Sequence, residues 1–187
     1  MSAYFEGAVP PRTLSSNRSQ LDDFIFQNST NMIACITSGG TTVPLERNTV
    51  RFIDNFSTGN RGAALTEHFL GLGYAVIFIY RTDSTFPFVR EFLPPVMSAE
   101  NLLKKLCENP CEVASKQENS AKSYTRYRSK LLALPFTSVD EYLWLLREAC
   151  FALSVANVNE RAMVILAAAV SDFFIPTAEL VGNASPD

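Results

Sequence analysis

An α/β architecture built on an open, mainly parallel sheet is predicted by three features of this 187-residue chain. Short apolar runs recur at residues 32–37 (MIACIT), 74–80 (YAVIFIY) and 162–170 (AMVILAAAV), the pattern of strands buried on both faces. Segments with helical apolar spacing lie between them. The connections are long enough for the right-handed crossovers that parallel strands require, which gives an open, doubly wound sheet.

Each element follows in order. Residues 1–14 carry Pro10-Pro11 and little periodicity, and are expected to form a flexible N-terminal arm ahead of a domain at 15–187. Leu21, Phe24 and Ile25 recur at helical spacing, with Ser16 or Asn17 as the expected cap. The first strand stops at Ser38-Gly39-Gly40-Thr41, and loop is expected from there to Thr58. A helix from Gly59 to Gly71 follows through Ala63, Ala64, Leu65, Phe69 and Leu70, stopped by Gly71 or Gly73. After the second strand, a Pro- and Phe-rich loop leads to a helix from Ser98 to Cys107. Residues 108–123 are the most polar stretch and are expected to form an exposed, mobile insertion. Leu131–Phe136 suits a fourth strand, and Ser138 with Glu141 makes a capping box for a helix running to about Ala156. With three clear strands and one further strand, where doubly wound sheets have five or six, the domain is expected to be incomplete at its C-terminus.

Composition narrows the function classes. At 47% hydrophobic and 19% charged residues, the chain is a globular protein rather than a disordered one. A net charge of −3 argues against nucleic acid or a polybasic membrane surface as partner. No apolar run approaches the roughly 20 residues a membrane span needs. Cys107 and Cys111 have no second cysteine pair, and His68 is distant, so no metal site is expected. Cys35 and Cys150 are expected to be buried thiols. The N-terminus lacks a basic segment followed by an apolar one, which places the chain in a reduced cytoplasmic or nuclear setting.

Ligands of open α/β sheets gather at the carboxyl ends of strands, and three segments lie at such ends. In Ser38-Gly39-Gly40-Thr41, glycines would let backbone amides approach a phosphate, although any tight turn also selects glycine. Residues Asn55 to Gly62 open a helix, and they read equally well as an N-cap at Ser57 or Thr58 with glycines for close packing. Asp172, after Ala167-Ala168-Ala169-Val170-Ser171, could meet a ribose hydroxyl or magnesium, or simply cap a turn. His68 and Trp144 read as surface or packing residues. Neither a dinucleotide fingerprint nor a Walker A sequence is present, so a nicotinamide oxidoreductase or P-loop enzyme is poorly supported.

Taken in order, Ser38-Gly39-Gly40-Thr41-Thr42-Val43-Pro44, then Val50-Arg51-Phe52-Ile53-Asp54-Asn55-Phe56-Ser57-Thr58-Gly59-Asn60-Arg61-Gly62, then Ala167 to Phe173 closely resemble phosphopantothenoylcysteine synthetase, the phosphopantothenate–cysteine ligase family. The resemblance spans about residues 31–176 and, with the stretch Lys130–Phe136, is to the stand-alone eukaryotic type. It implies a three-layer Rossmann-like fold and an amide-forming reaction of coenzyme A synthesis. There 4′-phosphopantothenate is activated by ATP or CTP with Mg2+ as an acyl-nucleotide, and L-cysteine then displaces the nucleotide. Bacterial members use CTP, and eukaryotic ones are associated with ATP.

By the same resemblance, Asn55 contacts the activated carbonyl in the second half-reaction. Ser38, Gly39, Gly40, Thr41, Ser57, Gly59 and Gly62 line the nucleotide and phosphopantothenate site, while Ala167, Ala168 and Asp172 form its nucleotide-binding strand end. The family is homodimeric. Its members continue with a lysine-bearing segment that completes the nucleotide site, and no lysine follows Asp172 here. The expectation is therefore a ligase-family chain with little activity alone. The competing reading is a non-catalytic binding or regulatory form.

Overall fold

The fold is taken from a computed structural model that describes residues 2–47, 50–90, 92–93, 98–156, 158–176 and 179–180. Its helices are α1 (Ser2–Gly7), α2 (Leu14–Gln27), α3 (Asn60–Gly71), α4 (Ala99–Glu108), α5 (Pro110–Tyr127) and α6 (Val139–Val155). The strands are β1 (Ile33–Ser38), β2 (Thr41–Pro44), β3 (Phe52–Asn55), β4 (Ala75–Arg81), β5 (Leu131–Phe136) and β6 (Ala162–Leu166).

All six residues of β1 are buried, as a central parallel strand requires. It pairs in parallel with β4 on one side, Ile33 opposite Ala75, and with β6 on the other, Ile33 opposite Ala162. β5 adds in parallel to β4, giving the order β5-β4-β1-β6. Alternation along the strands sorts side chains into two cores. Ile33, Cys35, Ile77, Ile79, Leu134 and Phe136 face α2 and α6, meeting Leu21, Phe24, Tyr142, Leu145 and Ala149. Ala34, Ile36, Val76 and Phe78 face α3, meeting Ala63 and Leu70. The three layers and the mainly parallel sheet are those the sequence predicts. Among the described residues no helix is long and apolar enough to cross a membrane.

Local signals place several ends. Ser138 accepts the Glu141 amide while Glu141 accepts the Ser138 amide, closing the capping box of α6. Gly73, at φ +92°, ends α3, with Gly73 and Tyr74 amides donating to Leu70 and Phe69 carbonyls in a Schellman arrangement.

Other ends depart from expectation. α2 begins after Thr13 without a side-chain cap, so neither Ser16 nor Asn17 caps it; both lie inside the helix. The stretch from Gly39 to Thr58 is not simply loop: β2 and β3 form an antiparallel hairpin, Thr41 opposite Asn55 and Pro44 opposite Phe52. Four-residue strands around a proline and mixed charges carry too little periodicity to register locally. The third apolar run leaves the ladder at Leu166, and Ala169 meets Gly40 through a single bridge.

Residues 108–123 fall largely within α5, which starts on Pro110 and carries the Glu112–Lys116 and Glu118–Lys122 pairs one turn apart. Such pairs let a mostly polar segment be helical. Val113 is buried, and the Ser120 hydroxyl donates to the Phe88 carbonyl at 2.5 Å. Within 1–14, α1 sets Phe5 edge-on to Trp144, and Tyr4 hydrogen-bonds Asp140.

Cys35 is buried and its thiol is pushed up to about 12, chiefly by burial, so it stays protonated. Cys150, expected to be buried, is exposed beside Leu146 and Arg147. Titration of the folded chain with a thiol reagent is expected to modify Cys107, Cys111 and Cys150, with Cys35 reacting only on unfolding. Modification of Cys35 at the native rate of the other three would contradict this burial.

Candidate functional site

Because β1, β4, β5 and β6 are all parallel, their carboxyl ends share one edge of the sheet. The chain moves from β1 outward to β4 and β5, then returns to the opposite side of β1 for β6. The topological switch point therefore lies between β1 and β6, where open α/β sheets form their ligand crevice. Ser38-Gly39-Gly40-Thr41 leaves β1 there, and Ala167 to Asp172 leaves β6.

The three segments singled out in the sequence meet at this point. The Ala169 amide donates to the Gly39 carbonyl at 2.8 Å. The Asn55 side chain, at the end of β3, donates from Nδ2 to the Val170 carbonyl at 2.8 Å. The Thr41 hydroxyl accepts the Ser171 amide at 2.9 Å and donates to the Ala169 carbonyl at 3.4 Å. Ser38 Oγ donates to the Gly59 carbonyl at 2.9 Å, tying β1 to the start of α3.

Glycines make this approach possible. A Cβ on Gly40 would lie 1.9 Å from the Asn55 carbonyl oxygen, and one on Gly62 would lie 2.4 Å from Ser38 Oγ. Gly59 is the N-cap of α3 at φ +75°, a left-handed conformation, with no side-chain cap. Ser57 and Thr58, the expected caps, instead accept the Gly59 and Asn60 amides, each at 3.4 Å. Gly39 abuts Arg81 and Ser84. The glycines thus let backbone segments interlock at the head of α3, whose first amides lack helical partners and whose dipole favours an anion.

Ala167 is buried and Ala168 partly so, with small side chains at the crevice wall. Asp172 is exposed at its end. Charges that local sequence reasoning missed also reach this edge. Arg81, the last residue of β4, pairs with Asp54 of β3. Arg61 Nη2 donates to the Ala167 carbonyl at 3.5 Å. The available signal for Arg81 was its place directly after an apolar run, at a strand's carboxyl end. A separate groove of about 770 Å3 between α1 and α6 shares no residue with this site.

Residues 30–116 match the family described as the DNA/pantothenate metabolism flavoprotein C-terminal domain. Phosphopantothenate–cysteine ligase CAB2 of Saccharomyces cerevisiae is 42% identical over 95% of this chain. The chain belongs to the phosphopantothenate–cysteine ligase family. Phosphopantothenate–cysteine ligase 2 of Oryza sativa subsp. japonica is 43% identical over 93% of the chain, and the ligase of Homo sapiens 40% identical over 79%. The match covers 49% of the yeast ligase, 57% of the rice ligase and 50% of the human ligase, so the chain spans about half the length of these relatives. A solved Cab2 mutant in complex with phosphopantothenate-cysteine superimposes with a TM-score of 0.85 at 39% identity, covering 98% of this chain and 60% of that one.

Proposed function

We propose that the crevice between β1 and β6 is this chain's share of a site that joins 4′-phosphopantothenate to L-cysteine in coenzyme A synthesis. The observation that carries the reading is the convergence of Gly39-Gly40, Asn55 and Ala167–Asp172 at the switch point, in a fold matching a Cab2 structure that holds phosphopantothenate-cysteine.

The reaction runs in two steps. A carboxylate oxygen of 4′-phosphopantothenate attacks the α-phosphorus of ATP or CTP, and pyrophosphate leaves. The cysteine amine then attacks the acyl carbon, loses a proton, and displaces the nucleotide monophosphate. Two polyanions must meet, so the glycine-rich turn, the head of α3 and nearby Arg61 and Arg81 serve to offset their repulsion. Ser38, Thr41 and Ser57 hold those turns in place.

Asn55 is assigned to the acyl oxygen. Its amide NH2 has two N–H bonds; one is aligned by the Val170 carbonyl, and the other is the donor for charge developing on the substrate. Ala167 and Ala168 leave room for the nucleotide, and Asp172 takes its ribose hydroxyl or its magnesium. Among the described residues no three His, Cys, Asp or Glu side chains cluster as a metal cage. In this reading magnesium is carried on the nucleotide phosphates, where it typically takes only one or two protein carboxylates. A homodimer in the cytoplasm belongs to the same reading, supported by exposed Val50, Phe52, Ile53 and Phe56 on and beside the β2–β3 hairpin.

Asp172→Ala is expected to raise the nucleotide Kd about tenfold, the loss of one good polar contact. An unchanged Kd by calorimetry would leave Asp172 a turn residue. The reading as a whole is tested by pyrophosphate release from the purified chain with 4′-phosphopantothenate, nucleotide, magnesium and cysteine. Release that depends on 4′-phosphopantothenate supports the ligase. Nucleotide binding without release points to the non-catalytic binding form, and neither from a folded chain overturns both.

A further inference from the structure

Past Leu166 the polypeptide leaves the β6 ladder, and its next backbone amides need other partners. The amides of Ala167 and Ala168 both donate to one atom, Thr37 Oγ1 on β1, at 3.1 and 3.2 Å. Thr37 is fully buried. Tyr142 of α6, also buried, packs on the face of the sheet that carries Ile33, Cys35 and, by alternation, Thr37.

A threonine hydroxyl has one proton to donate and two lone pairs to accept with. The two amides can only donate, so they occupy both lone pairs. Both accepting positions of this hydroxyl are in use, and they tie β1 to the chain leaving β6. Three residues on, the Thr41 hydroxyl does the same kind of work, accepting the Ser171 amide and donating to the Ala169 carbonyl. Two buried threonines thus govern the path of residues 167–171, which ends at Asp172.

We propose that Thr37 is a positioning residue for nucleotide binding, setting the path of Ala167 and Ala168 through its hydroxyl, with Thr41 holding the next turn. The inference rests on the nucleotide reading given above. Thr37 touches no substrate in it. A hydrophobic residue of the same shape at this position would still fill the core but leave two adjacent amides without an acceptor.

Thr37→Val tests this, with Thr37→Ser as the conservative control. Amide hydrogen exchange of the free chain reads the geometry. In Thr37→Val, exchange at Ala167 and Ala168 is expected to quicken at least tenfold relative to β1 amides, and Thr37→Ser is expected to restore protection. Calorimetry with ATP and, separately, 4′-phosphopantothenate reads the consequence. The ATP Kd should rise about tenfold in Thr37→Val, recover in Thr37→Ser, and leave the 4′-phosphopantothenate Kd unchanged.

Unchanged exchange at Ala167 and Ala168 would overturn the hydroxyl's role. Parallel weakening of both ligands, or failure of serine to restore ATP binding, would overturn a specific positioning role in favour of general core damage. Wild-type chain that shows the protection pattern but binds no nucleotide would instead defeat the nucleotide reading, and the proposal's functional half with it.

Discussion

Gly40→Ala is expected to lower the unfolding temperature by roughly 6–12 °C, since overpacking here costs about 3 kcal/mol in a chain of this size. The added Cβ would lie 1.9 Å from the Asn55 carbonyl oxygen, 3.0 Å from its carbonyl carbon and 3.1 Å from the Ser57 amide nitrogen. All three neighbours are backbone, so no side chain can rotate away. Relief requires the end of β3 to move off the β1 turn, which pulls the Asn55 amide from Val170 and disturbs the Gly40–Ala169 bridge. Ligand binding should fail together with stability. Calorimetry that places the variant within about 2 °C of wild type, less than 1 kcal/mol for a chain this long, would show that the interlock is looser than these distances state.

The second large effect concerns chemistry. Under the proposed reaction, Asn55→Ala is expected to slow the cysteine step by about 10²–10³, the usual cost of losing one donor to a developing oxyanion. Activation by nucleotide should survive, so acyl-nucleotide persists after cysteine is added and can be trapped there by rapid quench, where the wild type consumes it. The same substitution removes the bond to Val170, a stability loss of about 1 kcal/mol. Asn55→Asp separates the contributions: it keeps the shape but sets an acceptor against the Val170 carbonyl and offers the substrate no N–H. Both variants should block the second step. A normal cysteine step in either would remove Asn55 from the chemistry and leave it the anchor of Val170.

Much of the architecture was legible in the residues alone. The apolar runs in β1 and β4 form strands buried on both faces, whereas the third run forms β6 at the sheet edge, where Val164 and Leu166 are exposed and the expected burial is not reached. Ser138 with Glu141, and Gly73 after α3, are terminal signals that act within one turn of chain, and so can be read within one turn of sequence. The candidate site was legible as three segments at strand ends, and their order carried the family resemblance.

Tertiary structure decided what joins distant residues. That β6 lies beside β1 rather than beyond β5 puts the switch point between Ser38 and Ala167, and no local period encodes strand order. The β2–β3 hairpin exists through pairing across a charged turn, not through periodicity of its own. Gly59 rather than Ser57 or Thr58 caps α3, because the chain must turn through a left-handed conformation against Ser38 and Ser84. Arg81 finds Asp54, and Thr37 finds two amides that lie 130 and 131 residues later in the chain. Hydrophobic patterning selects elements from near neighbours, whereas the hydrogen bonds of a crevice are settled only when burial has fixed which strand ends face each other.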